Sequence, residues 1–150
     1  MTLETLPKAS VIDALRRNGF KATPQRIAIC NFALNSREHP TAQEIYREVK
    51  KVYATVSLAT VYKTLQVLKQ LHLIQELAFS GDKRFDSYME PHLNIICVRC
   101  GEVRDINDRS VRELVDRAAA KTKYTFTEQR FDIYGICKKC KETKKRMSEQ

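Results

Sequence analysis

No run in the chain approaches the about eighteen apolar residues that a membrane-spanning helix needs, so none is expected. The opening stretch, MTLETLPKAS, has no apolar core after its charge, so no signal peptide is expected either. Acidic residues are in short supply. Eighteen Asp and Glu stand against 27 Lys and Arg in 150 residues, a formal net charge of +9. That imbalance points to an acidic partner, nucleic acid before membrane surface. Histidine is scarce, with 3 in the chain, and no Ser, His and Asp arrangement suggests nucleophilic catalysis. There is no low-complexity segment and no internal repeat beyond two cysteine pairs. These absences place the chain in a reducing cytoplasm, where its 5 cysteines argue against disulfides.

What is present divides into two patterns. The first half reads as helices. Residues 7–18 carry Val11, Ala14 and Leu15 on one side, and Gly19 follows as a stop. Thr23-Pro24 is a helix start, with Thr as N-cap and Pro at the first helical position, and Ile27, Cys30 and Ala33 are expected inside. Thr41-x-x-Glu44 is a capping box ahead of Ile45, Tyr46 and Val49. Ser57 opens a fourth helix with Leu58, Val61, Leu65 and Leu68 at spacings of three and four. Two short apolar-polar stretches joined by Gly81-Asp82 then read as a hairpin. Together these predict a winged helix-turn-helix over residues 1–87.

After a hinge at 88–91 the pattern changes to a small β-α-β unit over residues 92–150. LNIIC and GEVRDI read as strands, Ser110-x-x-Glu113 as the cap of a helix with Val111, Leu114, Val115 and Ala118 inward, and YTFTEQRFDIYGIC as a further strand. The basic tail is expected to fray after Cys140. The fold class is therefore α+β, an N-terminal winged helix followed by a small α/β domain.

The cysteines set the chemistry of that second domain. Cys97 and Cys100 form one Cys-x-x-Cys pair, and Cys137 and Cys140 form another. A two-residue gap lets both thiolates point at one ion, and four thiolates complete a tetrahedron around Zn2+. The intervening unit must bring the pairs together, and the zinc would stabilise a domain too small to manage alone. A closed four-thiolate site has no open position for water, which argues against a zinc enzyme. Cys30 reads as a small core residue.

His39, His72, Asp86, His92 and Asp105 are left over. His72 reads as structural or solvent-facing, and sequence distance gives the other four no reason to meet. If they do meet, two imidazoles with carboxylate oxygens suit Fe(II), Mn(II) or Zn(II). The outer face of the fourth helix carries Ala59, Thr60, Tyr62, Lys63 and Gln66 and suits a major groove. Lys83 and Arg84 in the wing could meet phosphates, which fixes register and makes binding salt-dependent.

GFKATPQRIAI, HPTAQEIYREV, VSLATVYKTLQVL, KRFD, HLNIICVRCGEVRDI and IYGICKKC, in this order over residues 8–141, resemble the ferric uptake regulator family. The resemblance implies a homodimeric, metal-dependent repressor, with the second domain as the dimerisation domain and a roughly palindromic double-stranded DNA operator. It places a regulatory metal site on His39, Asp86, His92, Asn94 and Asp105. Asn94 stands where most members have a second histidine. Lys21 matches a position used near the minor groove. A further site found in some members would need ligands at Pro91, Leu93 and Gln129, none of which is a usual one. That leaves Zn2+ as structural ion and Fe2+ or Mn2+ as the sensed ion. Asp at 105 rather than Glu resembles the peroxide-responsive branch, in which iron and peroxide oxidise a ligand histidine, here His39 or His92. Plain iron, manganese or zinc sensing, a constitutive zinc-stabilised DNA-binding protein and a protein-interaction adaptor are the alternatives.

Overall fold

A computed structural model describes residues 8–77 and 81–148, and these fall into two compact units that part between Met89 and Glu90. In the first unit, α1 (Lys8–Arg17) is closed by Gly19 at φ +78, whose N–H reaches the Arg16 carbonyl while the Phe20 N–H reaches that of Leu15. Only a residue indifferent to left-handed backbone closes a helix this way at no cost. Helix α2 (Pro24–Asn35) starts on Thr23, whose side chain accepts from the Arg26 N–H. Helix α3 (Ala42–Lys50) carries both halves of the Thr41/Glu44 capping box. Helix α4 (Leu58–Gln70) starts on Ser57.

These four helices enclose one core, with Val11 and Leu15 of α1 joining Ile29, Cys30, Ala33, Ile45, Val61 and Leu65. Ile29, not the expected Ile27, is the fully buried isoleucine of α2. Cys30 is sealed there, and burial pushes its thiol up to about 12, which keeps it an unreactive apolar group.

Strands β1 (Gln75–Leu77) and β2 (Arg84–Asp86) pair antiparallel, Gln75 opposite Asp86. β2 also zips onto the segment ahead of α3. Arg84 bridges to Thr41, and the Phe85 N–H donates to the Pro40 carbonyl at 3.0 Å. The hairpin is pinned to α4 by Glu76, which pairs with Lys69 and, at 2.7 Å, with Lys83. Those cations, Lys69 first, hold the Glu76 carboxyl below the usual glutamate range. A carboxyl with a lowered folded pKa adds stability above its unfolded pKa and loses it as pH falls through the folded value. Glu76→Gln should therefore lower the stability of this unit by up to about 1 kcal/mol at pH 7. That gap should start to shrink near the ordinary glutamate value of about 4.3 and close once the pH is below the lowered folded value. Urea titrations of both proteins at the two pH values check this, and a gap that persists in acid refutes it.

The second unit is built on a three-stranded sheet in the order β4-β3-β5. β3 (Leu93–Cys97) pairs antiparallel with β4 (Val103–Ile106) and parallel with β5 (Phe131–Gly135), α5 (Arg109–Thr122) making the crossover. Four expectations need correction here. The cap of α5 is Asp108, whose carboxylate accepts from the Ser110 N–H at 2.8 Å, while Glu113 pairs with Arg109. Leu114 points outward at 49% exposed, with Val111 the buried residue of that helix. The last strand begins at Phe131 and not near Tyr124, because its ladder partner β3 begins at Leu93, opposite Phe131. Finally, the chain after Cys140 does not fray but continues as α6 (Lys138–Ser148), whose Lys, Glu, Arg and Met residues are good helix formers.

Candidate metal centre

Clusters of donor side chains arise from this framework. The first is sulfur. The parallel β3–β5 register sets Cys97 opposite Gly135, two residues before Cys137. After Cys97 the chain turns back at Gly101, φ +70, whose N–H donates to the Cys97 carbonyl at 2.9 Å, and this turn carries Cys100. Cys140 follows in the first turn of α6, with its carbonyl held by Arg99 at 3.0 Å. All four sulfurs lie within 4.8 Å of one another, and those of Cys100 and Cys137 are 3.8 Å apart. The Cys137 N–H donates to the Cys97 sulfur at 3.3 Å. That bond, followed by the backbone N–H groups of Cys100 and Arg99, draws the Cys97 thiol down to about 6. Cys140 is pushed up to about 12, first by hydrogen bonding with the Cys137 side chain. A thiolate is thus favoured at Cys97, while Cys140 resists ionising until a cation shares its charge. The donor set fits one tetrahedral ion.

The remaining donors form two separate groups, one within each unit. In the first unit, His39 lies between α2 and α3 at φ +50, a left-handed backbone that a non-glycine residue adopts at a cost. Arg84 donates to its carbonyl at 2.9 Å, and β2 brings Asp86 within 3.8 Å of its Nε2. His39 and Asp86 are each 3% exposed. Both owe their meeting to β2 lying along the segment before α3.

In the second unit the sheet supplies a separate group. Asp105 stands opposite Asn94 on one side, and His92 lies two residues before Asn94 and so on the same face. His92 Nε2 is 3.1 Å from Asn94 Oδ1 and 3.8 Å from Asp105 Oδ1. Its Nδ1 is 2.8 Å from the Glu90 carbonyl, which only accepts, so Nδ1 carries the hydrogen and a neutral ring leaves the Nε2 lone pair toward Asn94. Asn94 is 1% exposed and is no surface polar residue. Its carbonyl oxygen and the imidazole nitrogen converge, an arrangement that either a proton on Nε2 or a cation satisfies. Nothing in the linear spacing announces these meetings; strand register produces them. Asp132, which sits opposite Asn94 on the other side of β3, was not among the expected site residues.

The outer face of α4 presents exposed Ala59, Tyr62, Lys63 and Gln66, while the Thr60 hydroxyl is 2.8 Å from that of Ser57 at the cap. Lys21 is exposed ahead of α2, its carbonyl held by Arg26 at 2.9 Å. In the wing, Lys83 is 62% exposed, whereas Arg84 is 22% exposed and committed to the His39 carbonyl and to Glu44. Exposed His72 closes α4 at φ +54. No helix among the described residues is long and apolar enough to cross a membrane.

The model of the ferric uptake regulator family matches residues 17–134. The peroxide-responsive repressor PerR of Staphylococcus epidermidis is 38% identical over 132 residues, 87% of this chain and 88% of that protein. The Campylobacter jejuni peroxide stress regulator superposes with a TM-score of 0.69 at 32% identity, covering 87% of this chain and 98% of that one. The Helicobacter pylori ferric uptake regulator, a structure described as having three functional metal binding sites, superposes with a TM-score of 0.73 over 91% of this chain and 95% of its own. At 23% identity that likeness speaks to the fold alone. With its winged helix, its sulfur cluster and these relatives, the chain belongs to the ferric uptake regulator family, whose members are transcription regulators and not enzymes.

Proposed function

We propose that the chain is a homodimeric, metal-dependent DNA-binding repressor of the cytoplasm that responds to peroxide by oxidation of a ligand histidine. The observation that carries this reading is two buried donor groups, His39 with Asp86 and His92 with Asn94 and Asp105, each assembled by strand pairing within its own unit. The similarity to PerR, which covers most of both chains, supports the peroxide signal.

In this reading Cys97, Cys100, Cys137 and Cys140 hold a structural Zn2+. His39, Asp86, His92, Asn94 and Asp105 hold Fe2+ or Mn2+. When bound, that ion supplies a positive centre that draws ligands from both units together. An ion held by both groups would tie the winged helix, through His39 and Asp86, to the sheet that carries His92, Asn94 and Asp105. This fixes the spacing of two recognition helices in a dimer, and the ion favours the DNA-competent state by its differential affinity for it. Exposed Ile106, Leu114, Ile133, Tyr134 and Ile136 give the second unit the apolar surface that a dimer contact covers. Lys21, Ala59, Thr60, Tyr62 and Lys63 face the operator, Lys83 meets phosphate, and Arg84 contributes charge from the base of the wing.

The test is mass spectrometry after anaerobic loading with Fe(II) and brief exposure to peroxide. A gain of one oxygen on a peptide containing His39 or His92, with loss of operator binding, is the expected result. Iron-loaded protein that gains no oxygen and keeps its operator overturns the peroxide signal and leaves plain metal sensing.

A further inference from the structure

We infer that Asp132 is a positioning residue that turns Asn94 into an oxygen ligand, an inference that rests on the regulatory-site reading above. Asp105, Asn94 and Asp132 form one row across the sheet, contributed by β4, β3 and β5 in register. The Asn94 amide could in principle present either end to His92. Asp132 decides the matter. Its Oδ1 is 3.2 Å from Asn94 Nδ2, and a carboxylate only accepts, so the NH2 end must face β5. The carbonyl end is thereby aimed the other way, toward His92 Nε2, 3.1 Å off.

Asp132 is itself well held. Its side chain is 8% exposed, Arg130 pairs with its Oδ2 at 2.8 Å, and the Tyr134 hydroxyl donates to the same oxygen at 3.2 Å. Arg130 offsets the desolvation of a buried carboxylate, and Tyr134 narrows its rotation. Unbiased, an amide exposes a donor to a cation in one of its two orientations and an acceptor in the other. The Arg130–Asp132–Asn94 chain removes the unproductive one before any ion arrives, and so offsets part of the loss of an imidazole at position 94.

The experiment is Mn(II) titration of the full chain with its cysteine-site zinc retained, for wild type, Asp132→Ala, Asp132→Asn, Asn94→Leu and the Asp132→Ala/Asn94→Leu double variant. Zinc content and thermal midpoint report the fold. If Asp132→Ala fails to fold, Asp132→Leu, of similar size and without an acceptor, replaces it. Loss of an outer partner of this kind costs about 10–100-fold in metal affinity. Asp132→Ala should weaken Mn(II) binding by that factor. Asp132→Asn, whose amide oxygen can still accept from Asn94, should recover most of it. Once Asn94 is Leu, Asp132→Ala should cost nothing more, a coupling that a general structural role would not show. Affinity within about twofold of wild type in Asp132→Ala, or an equal loss in both backgrounds, overturns the inference. Failure of the underlying site reading looks different: Asp105→Ala would then leave Mn(II) binding unchanged as well.

Discussion

Replacing Cys137 and Cys140 together by serine should yield a zinc-free chain in which the second unit is unfolded and the first is intact. The reason is the disparity between the two cores. The first unit buries a continuous cluster from α1 to β2, including Leu15, Ile29, Ile45, Val61, Leu65, Leu68 and Phe85. Beyond Glu90, the fully buried apolar residues among those described are Ile96, Cys97 and Val111. So little burial cannot offset about 1–2 kcal/mol of backbone entropy for each ordered residue. Structural zinc adds about 10–16 kcal/mol of apparent folding free energy in small domains, as large as the about 5–15 kcal/mol that a whole domain normally commands. The two cysteine pairs also tie β3 to the start of α6, so losing one pair frees the end of the parallel ladder where Cys97 faces Gly135. Elemental analysis should report no zinc. Hydrogen exchange should report loss of protection at the β3 and β5 amides with the α2 and α4 amides retained. A zinc-free variant whose β3 and β5 amides stay protected would show that the ion is dispensable for the fold.

Much of the first unit was legible because helix starts are written in local chemistry. Thr23 with Pro24, Thr41 with Glu44, and Ser57 each satisfy backbone N–H groups of the turn they open, within reach of a few residues. The cysteine pairs were legible for a similar reason: two-residue spacing is a local geometry, and four such ligands have few other uses. What could not be read depends on register. Nothing near Asn94 says that Asp105 and Asp132 flank it, because those pairings are fixed by which strand neighbours which and by the offset between them. The start of the last strand failed for the same cause. YTFTEQR has strand-forming residues, but a strand ends where its partner ends. The capping residue of α5 failed because Asp108 and Ser110 both precede the apolar run, and only the backbone chooses between them. Charge alone suggests a frayed tail, although its composition favours a helix and Cys140 anchors the first turn.

Substituting Asp105 by alanine should abolish the effect of Mn(II) on operator binding while leaving metal-free binding as it was. On the proposed reading Asp105 is the anionic donor of the second unit's group, held in β4 opposite Asn94 and 3.8 Å from His92 Nε2. Without it that group retains an imidazole and an amide oxygen, both neutral, which hold a hard divalent ion weakly. The α4 residues proposed to face the operator, Tyr62 and Lys63 among them, belong to the other unit, so the substitution leaves them untouched. Couplings between an effector and a ligand are typically about 1–3 kcal/mol, or about 5–150-fold in affinity. Wild type should therefore bind a palindromic duplex, selected from random sequence in the presence of Mn(II), within that range more tightly with the ion than without it. The variant should bind at the metal-free level under both conditions. Fluorescence anisotropy at one fixed salt concentration makes the comparison, since phosphate contacts alone shift affinity steeply with salt. Linkage adds a second reading of the same quantity: the duplex must raise the affinity of wild type for Mn(II) by the factor by which Mn(II) raises its affinity for the duplex. Equal metal dependence in wild type and variant would mean that the ion acts elsewhere, and the joined half-sites would not be the switch.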